Sequence, residues 1–69
     1  MSEIEKGRIA FYRQDKGYGF IASERGGENL FFHITECEEG AVPLVNDRVE
    51  FEIALGKDGR PKAVNVDIV

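Results

Sequence analysis

The stretch Lys16-Gly17-Tyr18-Gly19-Phe20-Ile21-Ala22-Ser23-Glu24-Arg25-Gly26-Gly27-Glu28-Asn29-Leu30-Phe31-Phe32-His33 decides the architecture. Two short runs carrying aromatic and aliphatic residues flank an Arg-Gly-Gly turn signal, the pattern of two adjacent strands. Successive side chains on a strand point to opposite faces. In the second run this rule puts Leu30, Phe32 and Ile34 on one face and Asn29, Phe31 and His33 on the other. Only the first set lacks polar side-chain atoms, so Phe32 is expected in the core and Phe31 outside, beside His33. In the first run Tyr18 and Phe20 share a face opposite Gly19 and Ile21. Burying both rings would crowd a small core and demand an internal partner for the phenol, so they too are expected outside. Adjacent strands then set Tyr18, Phe20, Phe31 and His33 in a two-by-two patch. Gly17 and Gly19 flank Tyr18 and are expected to leave its ring face open.

Outward from this stretch, strand-like runs recur about every ten residues. They cover 5–13, 18–23, 28–34, 47–55 and 61–68, with turns at 14–17, 25–27 and 56–59. Alternation in the fourth run sends Val49, Phe51, Ile53 and Leu55 inward; in the fifth it sends Val64, Val66 and Ile68 inward. The 35–46 segment is acidic and without period, and no window of a dozen residues keeps a helical repeat free of glycine. Five short strands with one long connection favour a closed barrel, because closure removes edges that a tiny sheet cannot protect.

With 69 residues, 42% apolar and 32% charged, the chain is expected to form one soluble domain over 1–69. A chain this short buries only about 60% of its unfolded surface, which argues against a deep enclosed active site. No apolar run approaches the ~20 residues of a membrane span. The start Met1-Ser2-Glu3-Ile4-Glu5 is acidic, unlike a secretory leader, so a cytoplasmic location is expected. The lone Cys37 and lone His33 provide neither an internal disulfide nor a Cys/His zinc set, and no metal or cofactor is expected.

The net charge of −4 opposes nucleic-acid binding by bulk charge. Its distribution softens the objection. Residues 1–33 carry five basic and five acidic side chains, whereas 34–69 carry four against eight. Six of the seven aromatics fall between Phe11 and Phe32. An exposed aromatic patch calls for a partner. Flat rings spaced along two strands suit unstacked bases, each contact worth about 1–3 kcal/mol by truncation. Phe11 and Tyr12 suit either an extension of the patch or a cap on the core. Lys6, Arg13, Lys16, Arg60 and Lys62 are expected to track phosphates around it.

Lys16-Gly17-Tyr18-Gly19-Phe20-Ile21 and Asn29-Leu30-Phe31-Phe32-His33 resemble the two ribonucleoprotein motifs of cold-shock domains. The opening Lys6-Gly7-Arg8-Ile9 and the closing Ala63-Val64-Asn65-Val66 extend the likeness over nearly the whole chain. The resemblance implies a five-stranded antiparallel barrel of the oligonucleotide-binding (OB) class. It also implies binding of single-stranded RNA or DNA, melting of weak RNA structure, and no catalysis. By position, Phe11, Lys16, Tyr18, Phe20, Phe31 and His33 resemble the base-stacking and contacting residues. The family usually has tryptophan at Phe11, lysine at Ala10, asparagine at Arg13 and an acid at Asn29. Members often carry a further aromatic at Ile34 and another in the following loop, where this chain has none through Glu50. That loop is shorter than usual, and Arg60 lies between the familiar Gly and Pro. Losing two or three platforms implies fewer nucleotides contacted and weaker binding.

Other readings are poorer. His33 lacks an accompanying nucleophile or carboxylate at suitable strand parity. Lys16-Gly17-Tyr18-Gly19 lacks the remainder of a phosphate-cradling loop. Glu36, Glu38 and Glu39 form a solvated acidic loop and should raise the thiol pKa of Cys37, a small filler. The rival from another class is a protein-interaction barrel whose rings and acidic balance suit a basic or apolar partner. A monomer is expected, with exchange of strands between two copies as the route to a dimer.

Overall fold

The computed structural model describes residues 4–69. Five strands form: β1 (Glu5–Arg13), β2 (Tyr18–Ser23), β3 (Leu30–His33), β4 (Arg48–Leu55) and β5 (Pro61–Ile68). They close into a barrel in the order β1-β2-β3-β5-β4. Four junctions are antiparallel: three join consecutive strands through their turns, and the fourth pairs β1 with β4 to close the barrel. The junction of β3 with β5 is parallel, so the sheet is mixed rather than wholly antiparallel. A single turn of 3-10 helix, Ile34–Glu36, follows β3 directly. It ends the strand at His33, so Ile34 lies outside the run in which alternation had placed it. Asn29 likewise falls just before the strand, which begins at Leu30.

Ile9, Ile21, Leu30, Phe32, Val49, Phe51, Ala63 and Val66 make the core. Phe32 and Phe51 are its largest fully buried side chains. Their strands supply one inward residue in two, as alternation requires. Two irregularities break that rhythm. In β1, Ile9 pairs with Ile21 but Phe11 pairs with Phe20, so Ala10 is the extra residue of a bulge. The bulge flips the parity beyond it. Phe11 turns outward to 43% exposure, while Tyr12 turns in and stacks on Phe32 at 6.0 Å between ring centroids. The two roles open to these neighbours are thereby divided between them. In β5, Asn65 takes a left-handed conformation (φ 50°), and the register slips against Glu50 to Glu52 of β4. As a result Ala63 and Val66 are buried, whereas Val64 and Ile68, expected inside, are only half-buried. Asn65 is held there by its N–H to Glu36 Oε1 (3.2 Å) and its side-chain amide to Glu52 Oε1 (3.1 Å).

Ile53 and Leu55 also depart from expectation, at 47% and 74% exposed. β1 accompanies β4 only as far as Phe51, opposite Glu5. Beyond that point the β4–β5 hairpin outruns its neighbour, and same-parity positions leave the barrel.

Gly19 points inward. A Cβ there would overlap the Phe11 carbonyl oxygen and lie 2.9 Å from the Phe32 ring. Its service is therefore close approach of β1 and the core ring to β2, not an open face beside Tyr18. Gly17, at φ 73°, closes the β1–β2 turn by donating its N–H to the Arg13 carbonyl (2.8 Å), and its own carbonyl accepts from Ile34 N–H (2.8 Å). No helix among the described residues is long and apolar enough to cross a membrane.

Candidate nucleic-acid interface

The outer side chains of the barrel line up in rungs. Phe11 on β1 pairs with Phe20 on β2, Phe20 with Phe31 on β3, and Phe31 with Lys62 on β5. One rung thus carries three phenyl rings and an ammonium across four strands. The next carries Arg13, Tyr18 and His33. Ring centroids link the rungs, with Tyr18 6.4 Å from Phe11 and 5.8 Å from Phe31, and within the phenyl rung Phe20 is 6.2 Å from Phe11 and 6.0 Å from Phe31. These spacings are those of ordinary aromatic pairs, so the rings support one another while keeping faces to solvent. Phe31 is 38% exposed, and Tyr18 and Phe20 are half-buried.

His33 is oriented by its own strand end. The Thr35 N–H donates to its Nδ1 (3.2 Å), and the Thr35 hydroxyl lies 3.0 Å from the same nitrogen. A nitrogen that accepts is bare in neutral imidazole, which puts the proton on Nε2 as an available donor.

The cations are not equivalent. Arg13 stands in register with Tyr18, but its guanidinium is clamped on Asp15, with Nη2 at 3.1 Å from one carboxylate oxygen and Nε at 3.3 Å from the other. The same contact holds the Asp15 carboxyl below its ordinary range and raises the Arg13 guanidinium further. Arg13 thus meets an approaching phosphate already paired. Lys16 lies exposed in the adjoining turn. Arg60 is loosely paired, its Nε 3.9 Å from Asp58. Lys6 lies opposite Glu50 on the acidic β4, and the structure does not bring it to the rings.

A cleft of about 1110 Å³ opens at the Phe31 end of the rung. Phe20 and Phe31 line one wall; Lys57, Arg60, Pro61 and Lys62 of the β4–β5 hairpin line the other, with Glu28 and Asn29 at its rim. Lys57 is the cation that sequence reasoning missed. It read as a turn residue, and only the parallel β3–β5 junction carries that turn to the rings. Among the described residues no cluster of three or more His, Cys, Asp or Glu is placed to hold a metal ion.

Cys37 lies away from the rings, half-buried against the core. Burial first, then Glu36 and Asp67, push its thiol above the ordinary value. Glu38 and Glu39, expected to contribute, do not figure among those causes. A thiol whose folded pKa exceeds its unfolded one adds stability that is complete below the unfolded value, about 8.5, and is lost as pH rises through the folded value. Iodoacetamide at pH 8.5 is therefore expected to alkylate Cys37 several-fold more slowly in the native protein than in urea. Equal rates would remove this account of the thiol.

The sequence profile of the 'Cold-shock' DNA-binding domain matches residues 5–69, and the chain belongs to the cold-shock domain family. Members of this family are non-catalytic nucleic-acid-binding modules, and they typically bind single strands through an aromatic surface. The chain is 37% identical over 68 residues to the cold shock-like protein CspA of Bordetella pertussis, covering 96% of this chain and 100% of that one. It is 38% identical over 68 residues to CspE of Escherichia coli K12, covering 96% of each. Glycine-rich protein 2 of Nicotiana sylvestris is 44% identical over 63 residues, 88% of this chain, and the match spans only 29% of that longer protein. Among solved structures, "drosophila Unr CSD456" superposes with a TM-score of 0.81 at 29% identity, covering 97% of this chain and 27% of that one.

Proposed function

We propose that this chain binds unpaired stretches of RNA or DNA by stacking bases on Phe11, Tyr18, Phe20 and Phe31. His33 offers a donor beside them, and Lys16, Lys57, Arg60 and Lys62 meet the phosphates. The observation that carries the reading is the rung Phe11–Phe20–Phe31–Lys62, three outward rings ending in a cation. Stacking tolerates a net charge of −4 because much of the affinity does not come from phosphate neutralisation. Holding strands open in this way shifts weak hairpins toward the unpaired state, which makes the chain a cytoplasmic, monomeric RNA chaperone or a regulator of transcription or translation. The platform is reduced: Arg13 is engaged by Asp15, and no aromatic stands between Ile34 and Glu50. Each missing platform costs about 1–3 kcal/mol, so the chain takes fewer nucleotides, more weakly, than a fully equipped domain.

Titration with heptathymidine and with a fifteen-nucleotide oligomer, followed by amide resonances, tests this. Salt-sensitive shifts centred on Tyr18, Phe20, Phe31 and His33, with little gain from the longer strand, are expected. Unmoved resonances would favour the protein-interaction reading, and nanomolar affinity would remove the reduced platform.

A further inference from the structure

The cleft beside Phe31 carries both signs of charge, Glu28 on the β2–β3 connection and Lys57, Asp58, Arg60 and Lys62 on the β4–β5 hairpin, and which of them are paired points to what enters it. Of its two carboxylates, Asp58 is engaged: Oδ1 accepts the Arg60 N–H at 3.0 Å, and Oδ2 lies 3.9 Å from Arg60 Nε. Glu28, on the β2–β3 rim, has no hydrogen-bond or ion-pair partner among the described residues, and it is exposed. Across the cleft, Lys57 and Lys62 have no carboxylate partner among the described residues either. The cleft thus presents a free acceptor pair on one rim, free donors on the other, and phenyl rings between them. A phosphate can sit on the outer side of the Lys57, Arg60 and Lys62 hairpin, but one placed between the two rims would meet repulsion from Glu28. A nucleobase has both kinds of group on one edge, and single-stranded bases are read by stacking combined with hydrogen bonds to that edge.

We infer that this cleft is a base-reading seat selective for guanine, with Glu28 the specificity-determining residue; the inference rests on the nucleic-acid reading above. Guanine presents two neighbouring donors, N1–H and the N2 amino group, which a carboxylate accepts as a bidentate, charge-assisted pair. Its adjacent O6 is an acceptor for an ammonium of the opposite rim. Cytosine and adenine each offer one amino group to the carboxylate, and uracil or thymine one imide N–H, so none of them fills both oxygens. Asn29, at the same rim, donates and accepts and discriminates against none of them.

The test uses heptamers of thymidine whose central residue is thymine, cytosine, adenine, guanine or hypoxanthine, titrated against the whole chain and its Glu28→Gln variant. Guanine is expected to bind roughly tenfold more tightly than thymine, the scale of one good bidentate pair. Hypoxanthine, which lacks the N2 amino group, is expected to lose most of that gain, and Glu28→Gln to bring guanine within about twofold of thymine. Heptathymidine binding without a guanine preference, or a preference that survives Glu28→Gln, overturns the seat and leaves the binding face standing. Failure of every oligomer to bind overturns both.

Discussion

Replacing Phe20 and Phe31 together by alanine is expected to lower the affinity for heptathymidine by between about thirtyfold and twenty-thousandfold. That range follows from two lost stacking contacts of about 1–3 kcal/mol each, converted at 1.4 kcal/mol per decade. The barrel should survive. Phe20 and Phe31 lie side by side on the outer surface and meet Phe11 and Tyr18 only through ring contacts of about 6 Å. For rings left partly in water the low end of about 0.5–1.5 kcal/mol per pair applies, so the four lost pairs cost about 2 kcal/mol, which lowers the melting temperature without abolishing the fold. Binding isotherms and a circular-dichroism melt on the same sample separate the two effects. A variant that binds like the parent excludes these rings as the platform; one that fails to fold shows that they belong to the core.

One position further along the chain, the same substitution has the opposite consequence. Phe32→Ala is expected to remove more than half of the fold's stability at 25 °C. Phe32 is fully buried, with Tyr12 stacked on it and Gly19 shaped to admit it. Truncating a buried phenylalanine costs about 3–5 kcal/mol. At the usual 0.05–0.15 kcal/mol per residue, a 69-residue domain has only about 3–10 kcal/mol in total. Dispersion of the amide spectrum reports the outcome directly. Phe31→Ala is the matched control, retaining a dispersed spectrum. If Phe32→Ala stays folded and Phe31→Ala collapses, the assignment of faces along β3 is reversed.

That assignment is legible in the sequence itself, because Leu30 and Phe32 alternate with Asn29, Phe31 and His33, and only one set is free of polar side-chain atoms. The adjacency of Tyr18 and Phe20 to Phe31 and His33 is legible in the same way; the particular pairs, Tyr18 with His33 and Phe20 with Phe31, are set across a six-residue connection, 24–29. What the sequence concealed depends on contacts between distant segments. The extra residue Ala10 bears no mark of a bulge. The backbone around it turns because Ile9 N–H donates to the Asp47 carbonyl and Asn46 N–H to the Ile9 carbonyl, thirty-odd residues away. The outward positions of Ile53 and Leu55 depend on where β1 stops, which alternation within β4 does not encode. The Arg13–Asp15 clamp was within reach, since the two residues are neighbours across one turn position. Reading cations as free charge hid it.

The parallel seam has a consequence of its own. β3 and β5 face each other at Phe31 and Lys62, with a second bridge only at Cys37 and Val66, so the cylinder is joined there by few backbone links. The aromatic rung crosses this join at right angles to the strands. A guest laid along it would act as a hoop around a barrel stave, tightening the sparser of the two joints where the chain's halves meet, the other being the four-pair seam of β1 with β4.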